Sequence, residues 1–571
     1  MKRFWQVGIL IAALLSTSFV ASATENSAET FKAAPEPGLG YMGYTAYPVS
    51  AAVSNLSGLL GMETTGDRVN SVRFCTSLSD PDCSKSDYFQ YSAYYPMCAS
   101  TTDLDCIEEI TATSSAGQKL QVTTVKEFSS VKRNQYEGKP AVGLPSGSSP
   151  TLFTVADAPH SLGTQYMAAV TSYGYIDTRV FPTTVMENGS LSIFAVSATN
   201  GIFQPHDMAS TPASYAGKRW RSSNGGDYSC SYTDGATCAK AGPMPLDVTF
   251  GVKVRYSTPI KGWFHGRVQD PAIVYKAGDG NSKVLSVSAK AVQVPAITTW
   301  KKKEELSQEL KDFYARASKP LGGSGSGAGK TELQQGPESG WSLMRLNNAG
   351  YTQEDFNEFL AWLPMMGEKA NLAPIVWTMN LMTNYSSGVL GSTCKTSDDE
   401  LSGMVSTNST QYLAGPPSFN RATGELEYKV AGPHLMPNGE LSRGTYDLSL
   451  KAEFARCLYG ISGTAVRATV SIISESGTVV NAVTVVNEKN GWLNFAARGF
   501  TYSSPTIKVK LTDVNESKPE ANPTPSATPS ATPSTKPAVT KKVTISCVKG
   551  KSVKKVTSVA PKCPAGYKKK S

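Results

Sequence analysis

The stretch that most limits what this chain can fold into runs from Leu246 to Tyr256. Leu246, Val248, Phe250, Val252, Val254 and Tyr256 alternate with Asp247, Thr249, Gly251, Lys253 and Arg255. Period two over that length predicts a strand with one buried and one wet face. Such alternation belongs to antiparallel sheets, since strands covered on both sides read as unbroken apolar runs. The pattern returns at Tyr446, Leu448, Leu450, Ala452 and Phe454, with Asp447, Ser449, Lys451 and Glu453 between. Further strands are predicted over 88–95, 284–294, 466–473, 478–486, 492–497 and 506–511, with turns at Asp279-Gly280, Ser476-Gly477 and Asn490-Gly491. The tyrosines of 88–95 read as sheet packing with wet hydroxyls rather than as a sugar-stacking platform.

These signals predict a mainly β chain of two antiparallel, sandwich-like regions, 68–297 and an immunoglobulin-like 385–514. Residues 24–67, rich in Gly, Pro, Ala and Ser, read as an irregular leader. A helical connector is expected over 298–384. There Leu306, Leu310 and Phe313 share one helical face, and a second helix is signalled by Thr352 as cap, Asp355, and the stripe Phe356, Phe359, Leu360 and Leu363 before Pro364. Gly322 to Gly329 reads as a flexible joint. The apolar segment Ala370 to Thr383 fits helix or strand and stays unassigned.

Ten cysteines are present. Cys75 and Cys83, Cys98 and Cys106, and Cys230 and Cys238 are each separated by seven residues. Local disulfides are the expectation in an oxidising compartment, each adding ideally about 2.5 kcal/mol by constraining the unfolded chain. Cys394 with Cys457, and Cys547 with Cys563, are then the natural remaining partners, although spacing alone does not fix connectivity. Zinc is disfavoured because Cys-x7-Cys is not its usual spacing and no histidine lies nearby.

Lys2, Arg3, the apolar run Val7 to Leu15 and Ala21-Ser22-Ala23 read as a secretory signal over 1–23. No later run approaches the roughly 18–20 apolar residues of a membrane span. The formal charge is +9, of which the first 23 residues hold +2 and 541–571 hold +10, leaving −3 for 24–540. That excludes a general nucleic-acid-binding surface on the body. The cations are Lys541, Lys542, Lys549, Lys551, Lys554, Lys555, Lys562, Lys568, Lys569 and Lys570, with no acid among them. Ahead of them, 515–540 contains a repeated Pro-Ser-Ala-Thr tract that reads as an extended, disordered linker. A concentrated cationic tail suits an anionic envelope polymer or a lipid surface; the plainer reading is a solubilising tail.

Motifs for chemistry are weak. Ser324-Gly325-Ser326-Gly327-Ala328-Gly329-Lys330-Thr331 lacks the first glycine of a phosphate loop and follows no strand. Leu363-Pro364-Met365-Met366-Gly367 lacks the threonine of a wall-sorting signal. His160, His206, His265 and His434 form no ligand pair, and no nucleophile elbow exists. Glu108 and Glu109, being adjacent on a strand, point to opposite faces, unlike a glycosidase pair. Lys218-Arg219-Trp220-Arg221 reads as a solvated loop, or as a grip on an acidic glycan. No cofactor, metal or nucleic-acid partner is expected.

Cys457-Leu458-Tyr459-Gly460, Gly491-Trp492-Leu493, Phe500-Thr501-Tyr502-Ser503-Ser504-Pro505, and the tail segments Cys547 to Lys551 and Lys562 to Tyr567 carry a resemblance. Together they resemble modules of exported multidomain β proteins of high-GC Gram-positive bacteria, a family with no activity to carry over. The first cysteine loops, Cys75 to Cys106, look similar to that family's N-terminal portions. The resemblance implies export and β architecture only. The expected function is therefore a non-enzymatic secreted or cell-envelope-associated protein serving adhesion, scaffolding or surface binding. The alternatives are a secreted hydrolase with a site assembled from distant residues and a carbohydrate-binding module.

Overall fold

The computed structural model describes residues 41–48, 56–66, 68–129, 135–205, 230–316, 343–347, 353–383, 394, 401–460, 466–473, 479–481, 483–502, 506–513, 543–549, 552–558, 563 and 567–569. The predicted signal, the Gly/Ser joint, the 218–221 loop, Ser324 to Thr331, His206 and the 515–540 linker lie outside them. The chain divides into two compact units, Met1–Glu516 and Ser517–Ser571. The architecture is mainly β.

The alternating stretch forms the strand Thr249–Tyr256, which pairs antiparallel with Lys283–Lys290 on one side and Cys106–Thr113 on the other. Phe250, Val252, Val254 and Tyr256 are buried. Leu246, predicted to belong to this strand, is instead 47% exposed. Both neighbouring ladders end at Thr249, so nothing holds 246–248 in the sheet. With Gln269–Ala277 and Lys119–Leu120 these strands complete a five-stranded sheet.

That sheet packs on a much longer one. Its path runs through Val483–Lys489, Trp492–Phe500, Gly444–Lys451, Leu401–Thr407, Gly262–Arg267, Ile375–Met382, Phe181–Asn200, Gln165–Asp177, Tyr88–Tyr94, Gly58–Thr65 and Arg68–Phe74. Its first core gathers Phe250, Val252, Leu285 and Val287 with Leu191, Phe264, Trp377 and Met379. At the other end a six-stranded sheet, with Glu425–Ala431, Thr506–Asp513 and Val466–Ile473 at its centre, closes a second core of Tyr428, Val430 and Ile507 against Leu448, Leu450 and Phe495. Two sandwich-like layers are therefore present, but one sheet runs through both.

Several expectations need correction. The leader is not irregular throughout: Tyr41–Ala46 and Gly58–Thr65 are strands. The connector is not a separate piece, because Ile375–Met382 lies inside the long sheet between Phe181–Asn200 and Gly262–Arg267. Burial of consecutive residues along it removes the alternation by which a strand is recognised. Pairing is not wholly antiparallel either, since Gly262–Arg267 runs parallel to Leu401–Thr407 and Tyr41–Ala46 parallel to Leu343–Asn347. The Tyr446 alternation stops at Lys451, where its ladder with Trp492–Phe500 ends. The chain then turns into the helix Ala452–Tyr459, which buries Phe454, Ala455 and Leu458 and closes on Gly460 at φ 66°. Tyr91 and Tyr95 keep their hydroxyls buried rather than wet.

The other two α-helices among the described residues, α1 (Gln308–Arg316) and α2 (Gln353–Trp362), cover the small sheet formed by Tyr41–Ala46, Ile297–Lys302 and Leu343–Asn347. Leu306 and Leu310 are buried as predicted and Phe313 packs against the same core at partial burial, with Tyr314, not foreseen, fully buried beside them. Trp362 stacks on Tyr44 with centroids 5.1 Å apart. Tyr314 donates to buried Glu358 at 2.6 Å and accepts from Trp362 Nε1 at 2.8 Å.

All ten cysteines form the expected bonds: Cys75–Cys83, Cys98–Cys106, Cys230–Cys238, Cys394–Cys457 and Cys547–Cys563. The first two loops share one device. Asp80 accepts from the Thr76 amide at 2.7 Å and the Asp82 amide at 2.9 Å, while Asp103 accepts from the Ala99 amide at 2.7 Å and the Ser100 amide at 2.8 Å. Each aspartate stands five residues after its first cysteine, so the carboxylate closes the turn that the disulfide staples. Cys394–Cys457 spans a sequence separation of 63 against 8 in the short loops. Loop-closure entropy then predicts a loss of about 4 kcal/mol for the Cys394→Ser/Cys457→Ser variant against about 2.5 kcal/mol for Cys75→Ser/Cys83→Ser. Denaturant unfolding of the two variants checks this order.

Candidate functional site

The lysine segment forms a small sheet of Ser552–Ser558, Val543–Lys549 and Lys568–Lys569, tied by Cys547–Cys563. Cys547, fully buried, faces Lys554 and Lys569 in register, while Val548 faces Val553 and Lys568, and Ser546 faces Lys555. Since side chains alternate, Lys555, Val553 and Lys568 share the face opposite Cys547, and all three are exposed. Lys549 and Lys569 are exposed as well. Lys541, Lys542, Lys551, Lys562 and Lys570 lie outside the described residues.

The other nominated groups are engaged structurally. Glu108 receives Lys253 at 2.5 Å and Arg255 at 2.9 Å, and Glu109 receives Lys119 at 3.3 Å. Burial opposes the charge of Glu108, but its two cations outweigh it and hold the carboxyl below its ordinary value. His160 Nε2 meets the Gln165 carbonyl at 2.7 Å, and His434 pairs with Glu368. His265 is enclosed, with Nδ1 2.9 Å from the Tyr412 hydroxyl, and Arg267 lies over the Tyr412 ring at 4.7 Å. Burial, reinforced by the Arg267 charge, pushes His265 down to about 3 and keeps it neutral. Nearby Ser406 is committed to backbone: its Oγ accepts from the Val268 amide at 2.9 Å and donates to the Val268 carbonyl. Leu363–Met366 is a short 3-10 turn ending on Gly367 at φ 59°. Among the described residues no group of three His, Cys, Asp or Glu could hold a metal, and no helix is long and apolar enough to cross a membrane.

One cleft among the described residues was not nominated from sequence. A cleft of about 440 Å³ lies between Gln269–Ala277 and the outer face of Gly444–Lys451, Trp492–Phe500 and Val483–Lys489. It is lined by Asp270, Asp447, Ser449, Asn487, Asn494 and Arg498, among others. Asp270 reaches it through a local irregularity. The register of Gln269–Ala277 shifts between Gln269 and Ala272, and Asp270 adopts φ 53°. Pro271, which has no amide to donate, sits in that bulge on the edge of the five-stranded sheet.

Arg498 Nη2 donates to Asp447 Oδ1 at 2.5 Å and Asp270 Oδ1 at 2.7 Å, while its Nη1 donates to the Tyr446 carbonyl at 2.7 Å. The environments divide the two acids. Burial pushes Asp447 up to about 7 against the pull of Arg498, with the Asp270 charge adding to the rise. Asp270, half exposed, is opposed by burial but held below the carboxylate range by Arg498, Gln269 and Lys290. Two oxygens bound to one nitrogen stand at most about 5 Å apart, close to the separation in a retaining glycosidase. Here the guanidinium fills the gap, so the pair does not flank a space for a glycosidic bond. What the site offers is a fixed set of donors and acceptors.

Asp447 links folding to pH. Its folded value lies above the unfolded value of about 3.9, so the stability it lends is fully present below about pH 4 and is lost as pH rises through about 7. Asp447→Asn is expected to remove that slope, and thermal unfolding of both proteins from pH 4 to 8 measures it. Arg498→Ala leaves a buried carboxylate without its cation and is expected to cost about 3 kcal/mol at pH 8. At pH 5, where Asp447 is already protonated, the loss is smaller; denaturant titration at both pH values reads the difference.

No protein-family model and no curated protein matches the chain.

Proposed function

We propose that this is a non-enzymatic protein of the cell exterior, held at the envelope by its C-terminal lysine sheet and engaged there in adhesion, scaffolding or surface binding. The observation that carries the reading is the disulfide-tied sheet with Lys549, Lys555, Lys568 and Lys569 exposed, in a unit of its own. A merely solubilising tail needs charge but no fold. A cross-linked sheet holds its cations at set positions, which lowers the ordering cost of meeting a repeating polyanion. The five disulfides fit an extracellular environment, and the resemblance to exported multidomain β proteins points the same way.

The partner of choice is an anionic envelope polymer. Each lysine near such a surface contributes up to roughly 1 kcal/mol, screened over about 10 Å at 0.1 M salt. Binding should therefore be weak per site, additive and salt-sensitive. The full chain is expected to cosediment with purified envelope polymer at low salt and to release at high salt. The Lys549→Ser/Lys555→Ser/Lys568→Ser/Lys569→Ser variant should lose most of that binding, and a chain ending at Thr540 should shift from the envelope fraction to the medium. Equal partition of all three, or capture by anionic lipid vesicles with none by the polymer, defeats the reading.

A further inference from the structure

Across the outer face of the long sheet's end, three polar residues stand in one register row. Ser449 faces Asn494, and Asn494 faces Asn487. Ser449 Oγ donates to Asn494 Oδ1 at 2.7 Å, and Asn494 Nδ2 donates to Asn487 Oδ1 at 3.1 Å. The ladder fixes the orientation of both amides and leaves the Nδ2 donors of exposed Asn487 outside it. The adjacent row of that face begins at Asp447 and passes through Ala496, whose small side chain leaves room between the strands. Arg498 and the carboxylate of Asp270 border it, and Lys489 lies at the hairpin end. Asp447 is 5% exposed and lines the cleft, and its Oδ2 is buried with no hydrogen-bond partner.

The geometry points to this cleft as a binding site for a neutral glycan. Asp270 and Asp447 both engage Arg498, so its guanidinium is not free to hold an anion. The cleft's alternation of fixed acceptors and donors needs groups that both give and accept, repeated at short intervals, which is what the hydroxyls of a sugar ring supply. An O–H entering beside Asp447 approaches Oδ2, a buried carboxylate oxygen without a hydrogen-bond partner, and a buried acceptor gains most from being satisfied. The volume, about 440 Å³, falls in the range of small-ligand sites, roughly 300–1,000 Å³. Its lining holds one aromatic residue, Phe495, which is buried in the core behind the sheet, so hydrogen bonds rather than ring stacking carry recognition.

This site lies on the large unit and uses none of the tail lysines, so its fate in an experiment is separable from theirs. The full chain is titrated calorimetrically with neutral oligosaccharides of glucose, mannose and N-acetylglucosamine at about 1 mM, the scale of a weak site. One-site binding to at least one of them is expected, unchanged by salt and retained by the four-lysine tail variant. Asn487→Ala and Lys489→Ala, both at exposed positions where the fold tolerates truncation, should each weaken it about tenfold or more with an unchanged melting temperature. The inference is overturned if no oligosaccharide binds, if both variants bind like the parent, or if binding vanishes in high salt or in the tail variant.

Discussion

The structure depends on one buried strand, Ile375–Met382, being paired on both edges. Leu191 faces Met379 on one side, and Gly266 faces the same Met379 on the other. These ladders join residues 188 and 113 positions apart in sequence, and between them they turn two sandwich-like halves into one continuous sheet. Trp377 shows how firmly the strand is held: it is buried, and its Nε1 donates to the Ala289 carbonyl of the facing sheet at 2.9 Å. Such non-local pairings close long loops before they return any contact energy, so the long sheet is expected to assemble late and cooperatively.

That strand also decides where the cleft forms. Its neighbour Gly262–Arg267 leaves the long sheet after Arg267, and Gln269–Ala277 continues in the five-stranded sheet. The residue at the crossing, Val268, is fully buried, with its amide and carbonyl both held by Ser406 Oγ. A chain that switches sheets at a pinned residue makes a corner between two layers. The bulge at Asp270 then turns a carboxylate back over that corner, toward Asp447 and Arg498 on the sheet just left. The site is a product of the switch, not of any local motif.

This explains what was legible. Alternation gave away the strands Thr249–Tyr256 and Gly444–Lys451, although the second is covered on both faces, and the Asn490-Gly491 turn, with φ 54° and 77°, marks the hairpin as its residues demand. The shared cysteine spacing pointed to three of the five bonds, and the other two join the cysteines then left over. Ile375–Met382 was opaque because a strand covered on both faces has no wet residues to set its period. Asp447 was visible as the outward residue beside Tyr446, but outward from the second core meant inward beneath Gln269–Ala277. Nothing in the local sequence says that a second sheet lies there. Asp270 and Arg498 are 228 residues apart in the chain, and their only local signal is the Asp-Pro pair of a bulge.

The Asp270–Arg498–Asp447 triad raises a question of cost. Moving a carboxylate to where Asp447 sits is unfavourable by several kcal/mol before its partner is counted, and well-packed apolar residues often hold two layers together at least as well. Stability alone therefore does not account for it. What an apolar contact would lack is direction: Arg498, bonded also to the Tyr446 and Ala497 carbonyls, holds both aspartates at set positions against the backbone of the long sheet. A greasy seam would let Gln269–Ala277 settle onto Gly444–Lys451 and close the cleft. Asp270, half exposed, keeps part of its hydration and resists that collapse, so the triad fixes the corner and keeps it open.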